Sequence, residues 1–264
     1  MSVRFTQVDA FTAEPFRGNP AAVVVLERWP ADAWMQSVAA EMNLSETAFL
    51  VRRGPGEFDL RWFTPAVEVD LCGHATVASA RVLFDEGLAD GRVDFHTRSG
   101  VLRAARRGDW IELDFPATPP REAPAPAGLV DALGVEARWT GRSRFDWLVL
   151  VDDAATVRAA RPDLGRLATI DARGIMITAR GEGDYDFVSR FFAPAAGVPE
   201  DPVTGSAHCC LAPFWAERLG RDAMLAYQAS ARGGVVRLRV EDERVRLAGE
   251  SVVVARGELL ASPA

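Results

Sequence analysis

A histidine follows a glycine in Leu71-Cys72-Gly73-His74-Ala75-Thr76, and a serine holds the matching place in Val203-Thr204-Gly205-Ser206-Ala207-His208. Each run opens an apolar stretch with the look of a buried helix. The first turn of a helix offers unpaired N–H groups and a partial positive charge, which together attract carboxylate or phosphate. Glycine there lets a ligand approach the backbone closely. Two such starts in one chain suggest an anion site, although each glycine alone is equally well explained by a tight turn. At a helix start the dipole favours the neutral form of His74, suited to moving protons, but a buried structural histidine is almost as good an explanation. Asp201, ahead of Pro202, is either an acid of the same site or a plain turn-former. Glu46, between Ser45 and Thr47, reads from the residues alone as a solvated surface acid.

Several chemistries are excluded or left without support. All 30 basic residues are arginine. Without lysine there is no Schiff base and no phosphate-loop lysine. A zinc site from Cys72, His74, His208, Cys209 and Cys210 lacks ligand pairs at finger spacing, and neighbouring cysteines on a helix point about 100° apart. Ser206, His74 and Asp201 have the types of a hydrolase triad but no G-x-S-x-G elbow. Gly181-x-Gly183 leads into a strand, not a helix, so a nucleotide fingerprint is not supported. The net charge of −7 argues against nucleic acid or an anionic membrane as partner. Three cysteines make no disulfide framework, and no stretch reads as a signal peptide or a membrane span, so the cytoplasm is expected.

The elements that position these residues occur twice. Phe58 to Pro65 precedes the first glycine run and Tyr185 to Pro194 the second; the two prolines are 129 residues apart and the two glycines 132. A repeat that long exceeds solenoid units and reads as two copies of a half-domain, with a ligand site expected where they face each other. In the first copy, strands are expected at 3–8, 21–26, 48–51 and 58–63. A helix opens near Asp32, with Trp34, Met35, Val38, Ala39 and Met42 at helical spacing, and closes at Asn43. Glu46 falls on the connection into the next strand. The 74–84 stretch is apolar all round, which predicts a helix buried inside a curled sheet. Strands at 92–96, 101–106 and 110–115 follow. The second copy repeats this order, with its buried helix at 205–219 kinked at Pro213 and its last strands between Met224 and Val254. Pro116 to Gly128 carries five prolines and reads as a linker. The division is therefore an N-terminal lobe at 1–117, a linker at 118–128 and a C-terminal lobe at 129–264. The class is α+β, two pseudo-symmetric lobes, without Rossmann alternation.

In combination, Phe11 to Val25 with Gly18-Asn19-Pro20-Ala21-Ala22-Val23, Leu44-Ser45-Glu46-Thr47-Ala48-Phe49, Phe63-Thr64-Pro65, Glu68, the Cys72-Gly73-His74 run and Glu200-Asp201-Pro202-Val203-Thr204-Gly205-Ser206-Ala207 resemble the phenazine-biosynthesis (PhzF-like) isomerase family over essentially the whole chain. The resemblance implies the diaminopimelate epimerase-like fold: two lobes, each a β-barrel-like sheet around a central helix, with the site in the cleft between them. It implies Glu46 as the general acid/base that moves a proton between carbons, with His74, Asp201 and Ser206 assisting. Asn19, Gly73 and Gly205 would hold the carboxylate of a small anionic substrate. No cofactor and no metal are implied, and a homodimer is. The cysteine-dependent epimerases of that fold pair one cysteine from each half; here Cys72 has the first position and Asp201-Pro202-Val203 replaces the second. Cysteine-dependent racemisation, with a thiolate favoured by the helix start, is one alternative. A non-catalytic binding protein that keeps the cleft is the other.

Overall fold

In the computed structural model, residues 2–261 are described, and they form two compact units. Residues up to Asp114, with those from Ala248 onward, make the first; Phe115–Leu247 make the second. In the first unit, Val3–Ala10 lies antiparallel to Asn19–Leu26, which lies parallel to Glu46–Gly54. Glu57–Phe63 is antiparallel to that strand and parallel to Arg92–Thr97, which pairs antiparallel with Gly100–Arg107. In the second unit, Trp139–Arg142, Asp146–Leu150, Gly174–Arg180, Phe187–Phe192, Ala223–Gln228 and Gly234–Glu241 follow one another with the same alternation of directions. Six strands in the same order and sense are the structural form of the repeat. Each sheet is mixed, and its two parallel steps are where the helices cross. Parallel strands are covered on both faces, which is why Asn19–Leu26 is a nearly unbroken buried apolar run.

The crossover helix Asp32–Met42 buries Met35, Val38 and Ala39, and Asn43 closes it at φ 50° with its N–H on Ala39 O (3.2 Å). Asparagine tolerates that left-handed conformation, so the sequence signal was sound. In the Gly73–Asp85 helix every residue from His74 to Ala80 is buried. It packs on Val3–Ala10, Asn19–Leu26, Glu46–Gly54, Gly100–Arg107 and Ser251–Leu259. The Gly205–Leu219 helix stacks Trp215 on Phe187 (5.7 Å between rings), sets Phe214 beside Trp139 (4.9 Å) and packs on Ala223–Gln228 and Gly234–Glu241. The Trp215 indole also donates to Thr178 Oγ1 at 3.0 Å. A helix touching strands from both sides of its own sheet requires that sheet to curl around it. Pro213 does not end the second helix. Proline has no N–H for the carbonyl four residues back, and Thr118 N–H supplies Cys209 O instead (3.0 Å).

The structure divides the chain differently from the boundaries drawn at 1–117, 118–128 and 129–264. Arg121–Glu122, inside the expected linker, pairs with Arg142 and Gly141 and belongs to the second unit. Ser251–Leu259, assigned by the repeat to the C-terminal lobe, runs antiparallel to Val3–Ala10 from Ala10↔Ser251 to Val3↔Leu259 and belongs to the first. Strand pairing over eight residues outweighs position in the chain. Among the described residues, no helix is long and apolar enough to cross a membrane.

Candidate active site

Glu46 is the first residue of its strand, not part of the connection before it. Its Oε2 lies 3.1 Å from His74 Nε2, with the two side chains 18% and 5% exposed. Both contacting atoms are buried, so the carboxylate and the imidazole face each other away from water. His74 is held from its other side, where Nδ1 is 3.5 Å from Cys72 Sγ. Burial pushes the Cys72 thiol up to about 11, and the Glu46 carboxylate adds to the rise. That runs against the thiolate which the cysteine-dependent alternative needs at this helix start, because desolvation of a buried thiol outweighs a partial charge. Burial opposes a charged imidazole at His74, yet Cys72 and Glu46 hold it well above its ordinary value. With Cys72 a neutral thiol near pH 7, the Glu46 carboxylate is the charge that does so. The neutral imidazole expected from the helix dipole gives way to this closer, full charge.

Glu46, Cys72 and His74 each offer one metal-ligand atom, all within 4.8 Å of one another. A metal there would have to displace the protons of the Cys72 thiol and the His74 imidazole. His208, Cys209 and Cys210 form no such group with them among the described residues. Asn19 is fully buried at the head of its strand, two residues before Ala21, the partner of Glu46, so the two share one end of the sheet. Gly18 makes the turn into it: φ is +61°, and a Cβ would stand 2.1 Å from Ala10 O.

In the second unit, Asp201, Gly205 and Ser206 fall in one stretch entering the central helix. The Asp201 carboxylate Oδ2 accepts from Thr204 Oγ1 at 2.5 Å, and Gln228, fully buried, donates Nε2 to Asp201 O at 2.7 Å. Ser206 is half-buried in the first turn. His208 Nδ1 donates to Thr204 O (2.8 Å), and burial lowers this histidine to about 4, so it is neutral and structural. Gly73 and Gly205 are each the first residue of their helix. In neither case does the residue before them cap the helix, because Cys72 turns to His74 and Thr204 to Asp201. The first-turn N–H groups are thus not taken by the usual side chain.

A duplicated ion pair escaped the sequence reading. Arg61 grips Glu68 through Nε and Nη2 (2.7 Å each), and Arg190 grips Glu200 in the same way (2.7 and 2.9 Å). Each ties a strand to the segment that leads to the central helix, which in the first unit begins with the short strand Glu68–Val69. The remaining nitrogen reaches the crossover region, Arg61 Nη1 to Asp32 Oδ1 (2.8 Å) and Arg190 Nη1 to Ala160 O (2.8 Å). The signal was present, since Arg61 and Arg190 stand at the same spacing as the two prolines. Gln228 gave no signal beyond being a polar residue at the end of an apolar strand.

The whole arrangement has counterparts. Residues 8–257 match the family described as phenazine biosynthesis-like protein. The chain belongs to that family. A relative named as an uncharacterized isomerase, from Halalkalibacterium halodurans, is 52% identical, with 96% of this chain and 97% of the relative covered. The crystal structure of a phenazine biosynthesis PhzF family protein from Enterococcus faecalis superposes with a TM-score of 0.94 at 43% identity, covering 98% and 99% of the two chains. A predicted epimerase of Pseudomonas aeruginosa, 24% identical and covering 98% of this chain and 100% of its own, has a TM-score of 0.77 and shows the fold alone. This PhzF-like chain is therefore an isomerase with the epimerase-like α+β fold, as its motifs imply.

Proposed function

We propose that the protein is a cofactor-independent isomerase that moves a proton between carbons of a small carboxylate-bearing metabolite. The observation that carries this reading is the Glu46–His74 pair: a carboxylate and an imidazole 3.1 Å apart, with both contacting atoms buried. Taking such a titratable pair out of water is costly, so a fold that keeps it has a use for it. Glu46 takes the proton from the substrate carbon as general base and returns it as general acid. His74, raised toward its charged form, balances the carboxylate and supplies a proton to developing negative charge. The uncapped helix start at Gly73 receives the substrate carboxylate, with Asn19 at the same end of the sheet. In the second unit, Gly205, Asp201 and Ser206 carry the supporting roles that the resemblance implies. A homodimer and a cytoplasmic location belong to the same proposal.

Carboxylate metabolites that raise the melting temperature are incubated with the protein in deuterated water and followed by proton NMR. Deuterium should enter the ligand. Glu46→Gln should lower that exchange at least roughly 100-fold, the worth of a positioned acid/base, while Cys72→Ser keeps most of it. A bound ligand whose C–H bonds stay intact would make this a binding protein. Loss in Cys72→Ser with Glu46→Gln active would make it a cysteine-dependent racemase.

A further inference from the structure

Thr204 occupies the cap position of the second central helix, yet its hydroxyl takes no N–H of that helix. It points instead at Asp201. Gln228, at the end of the Ala223–Gln228 strand and with no exposed surface, explains which way the protons run. Its Oε1 accepts the Thr204 backbone N–H at 2.9 Å. Its Nε2 therefore faces Asp201 O (2.7 Å) and Thr204 Oγ1 (3.2 Å). The reverse amide orientation would set donor against donor and acceptor against acceptor, so the assignment is unique. Because Gln228 donates to Thr204 Oγ1, the single hydroxyl proton of Thr204 is directed to Asp201 Oδ2, 2.5 Å away. Hydrogen bonds running in one sense strengthen one another, and the last one ends on a carboxylate.

We propose that Thr204 and Gln228 are positioning residues for Asp201, a one-way chain of hydrogen bonds that fixes the direction of its carboxylate and frees the helix start from capping. The catalytic consequence rests on the reading of Asp201 as an assisting group of the proposed isomerase. Thr204 makes the contact, and Gln228 acts through Thr204 and through the Asp201 backbone. Neither transfers a proton to substrate.

Two measurements decide it. A charge-assisted hydroxyl bond of this length, partly buried and with its donor out of water, should give a downfield proton signal that exchanges slowly in wild type and in Thr204→Ser. The signal should be absent from Thr204→Val and displaced in Asp201→Asn. Kinetically, Thr204→Val should lower kcat for substrate exchange by roughly 10- to 100-fold, the loss of one hydrogen bond to a charged group, with KM little changed. Thr204→Ser should restore most of it. Absence of the proton signal from wild type would overturn the proposal, and so would a Thr204→Val enzyme with wild-type kcat. If the wild type catalyses no exchange, the isomerase reading fails on its own, and the proton signal still decides whether Thr204 holds Asp201.

Discussion

Glu46 opens the strand that lies parallel to Asn19–Leu26, and Gly174 opens the matching strand of the second unit, parallel to Asp146–Leu150. At one topological position the first unit has a half-buried acid against His74, and the second has a buried glycine covered by the Phe191 ring. A Cβ on Gly174 would come within 2.1 Å of that ring. The arginine–glutamate grip and the uncapped helix start recur in both units; the acid does not. Duplication has kept the parts that aim the central helix and confined the buried Glu–His pair to one copy. One acid is what a proton shuttle between two carbons needs, whereas a two-base racemase needs an equivalent group in each half.

The comparison can be broken most forcefully at the duplicated ion pair. Arg190 is 10% exposed and also serves Val157 O and Ala160 O, whereas Arg61, 18% exposed, gives its third contact to the well-exposed Asp32. Removing one partner of a buried pair strands the other, so Arg190→Met should cost about 3 to 5 kcal/mol in urea unfolding. Arg61→Met should cost clearly less. Equal losses would mean that the grips are not differently buried, and negligible ones that they are ornamental. At the unequal position, Gly174→Ala should lose about 1 to 3 kcal/mol through overpacking against Phe191. An unchanged midpoint would show that the ring yields and that the second unit has room for a side chain there.

A finer contrast separates the two helix-borne histidines. His74 is raised by Glu46 and Cys72, and His208 is lowered to about 4 by burial. Between pH 6.5 and 4 the unfolded chain binds a proton at His208 that the folded chain does not. Stability therefore falls as pH drops through that window, by up to about 1.4 kcal/mol per pH unit from this one group. His208→Asn should flatten the difference by one proton, measured as the slope of unfolding free energy against pH. The same slope in variant and wild type would mean that His208 is not held neutral.

Much of the fold was legible because it rests on short-range patterns. Asn43 closes its helix with the left-handed turn its side chain tolerates, and the 74–84 run, small and apolar on nearly all faces, is buried except at Arg81. The repeat showed that there are two copies. It misplaced their edges, because the partner of Val3–Ala10 is decided by hydrogen bonds to Ser251–Leu259, more than 240 residues along the chain, and no local signal reports a pairing at that distance. Proline content made 118–128 look like a linker, although Arg121–Glu122 takes an edge position where missing N–H groups are tolerated.

At the candidate site, residue types alone determined the menu: no lysine, one histidine and one serine behind matching glycines, and acids at 46 and 201. The order of importance within that menu is a tertiary fact. Glu46 looked like a surface acid because nothing near it in sequence buries it; the strand start carries it to within 3.1 Å of a histidine 28 positions away. The helix start at Cys72 is a local feature that would favour a thiolate, while the burial that holds the thiol at about 11 comes from the packing around it. Gln228 could not be seen at all, since its partners Asp201 and Thr204 lie more than 20 residues before it and meet it only when the strand folds back along the helix start. Sequence sets which groups are available and which segments are helix or strand, because those depend on neighbours. Charge state, direction and pairing depend on what is removed from water together, and only the folded chain decides that.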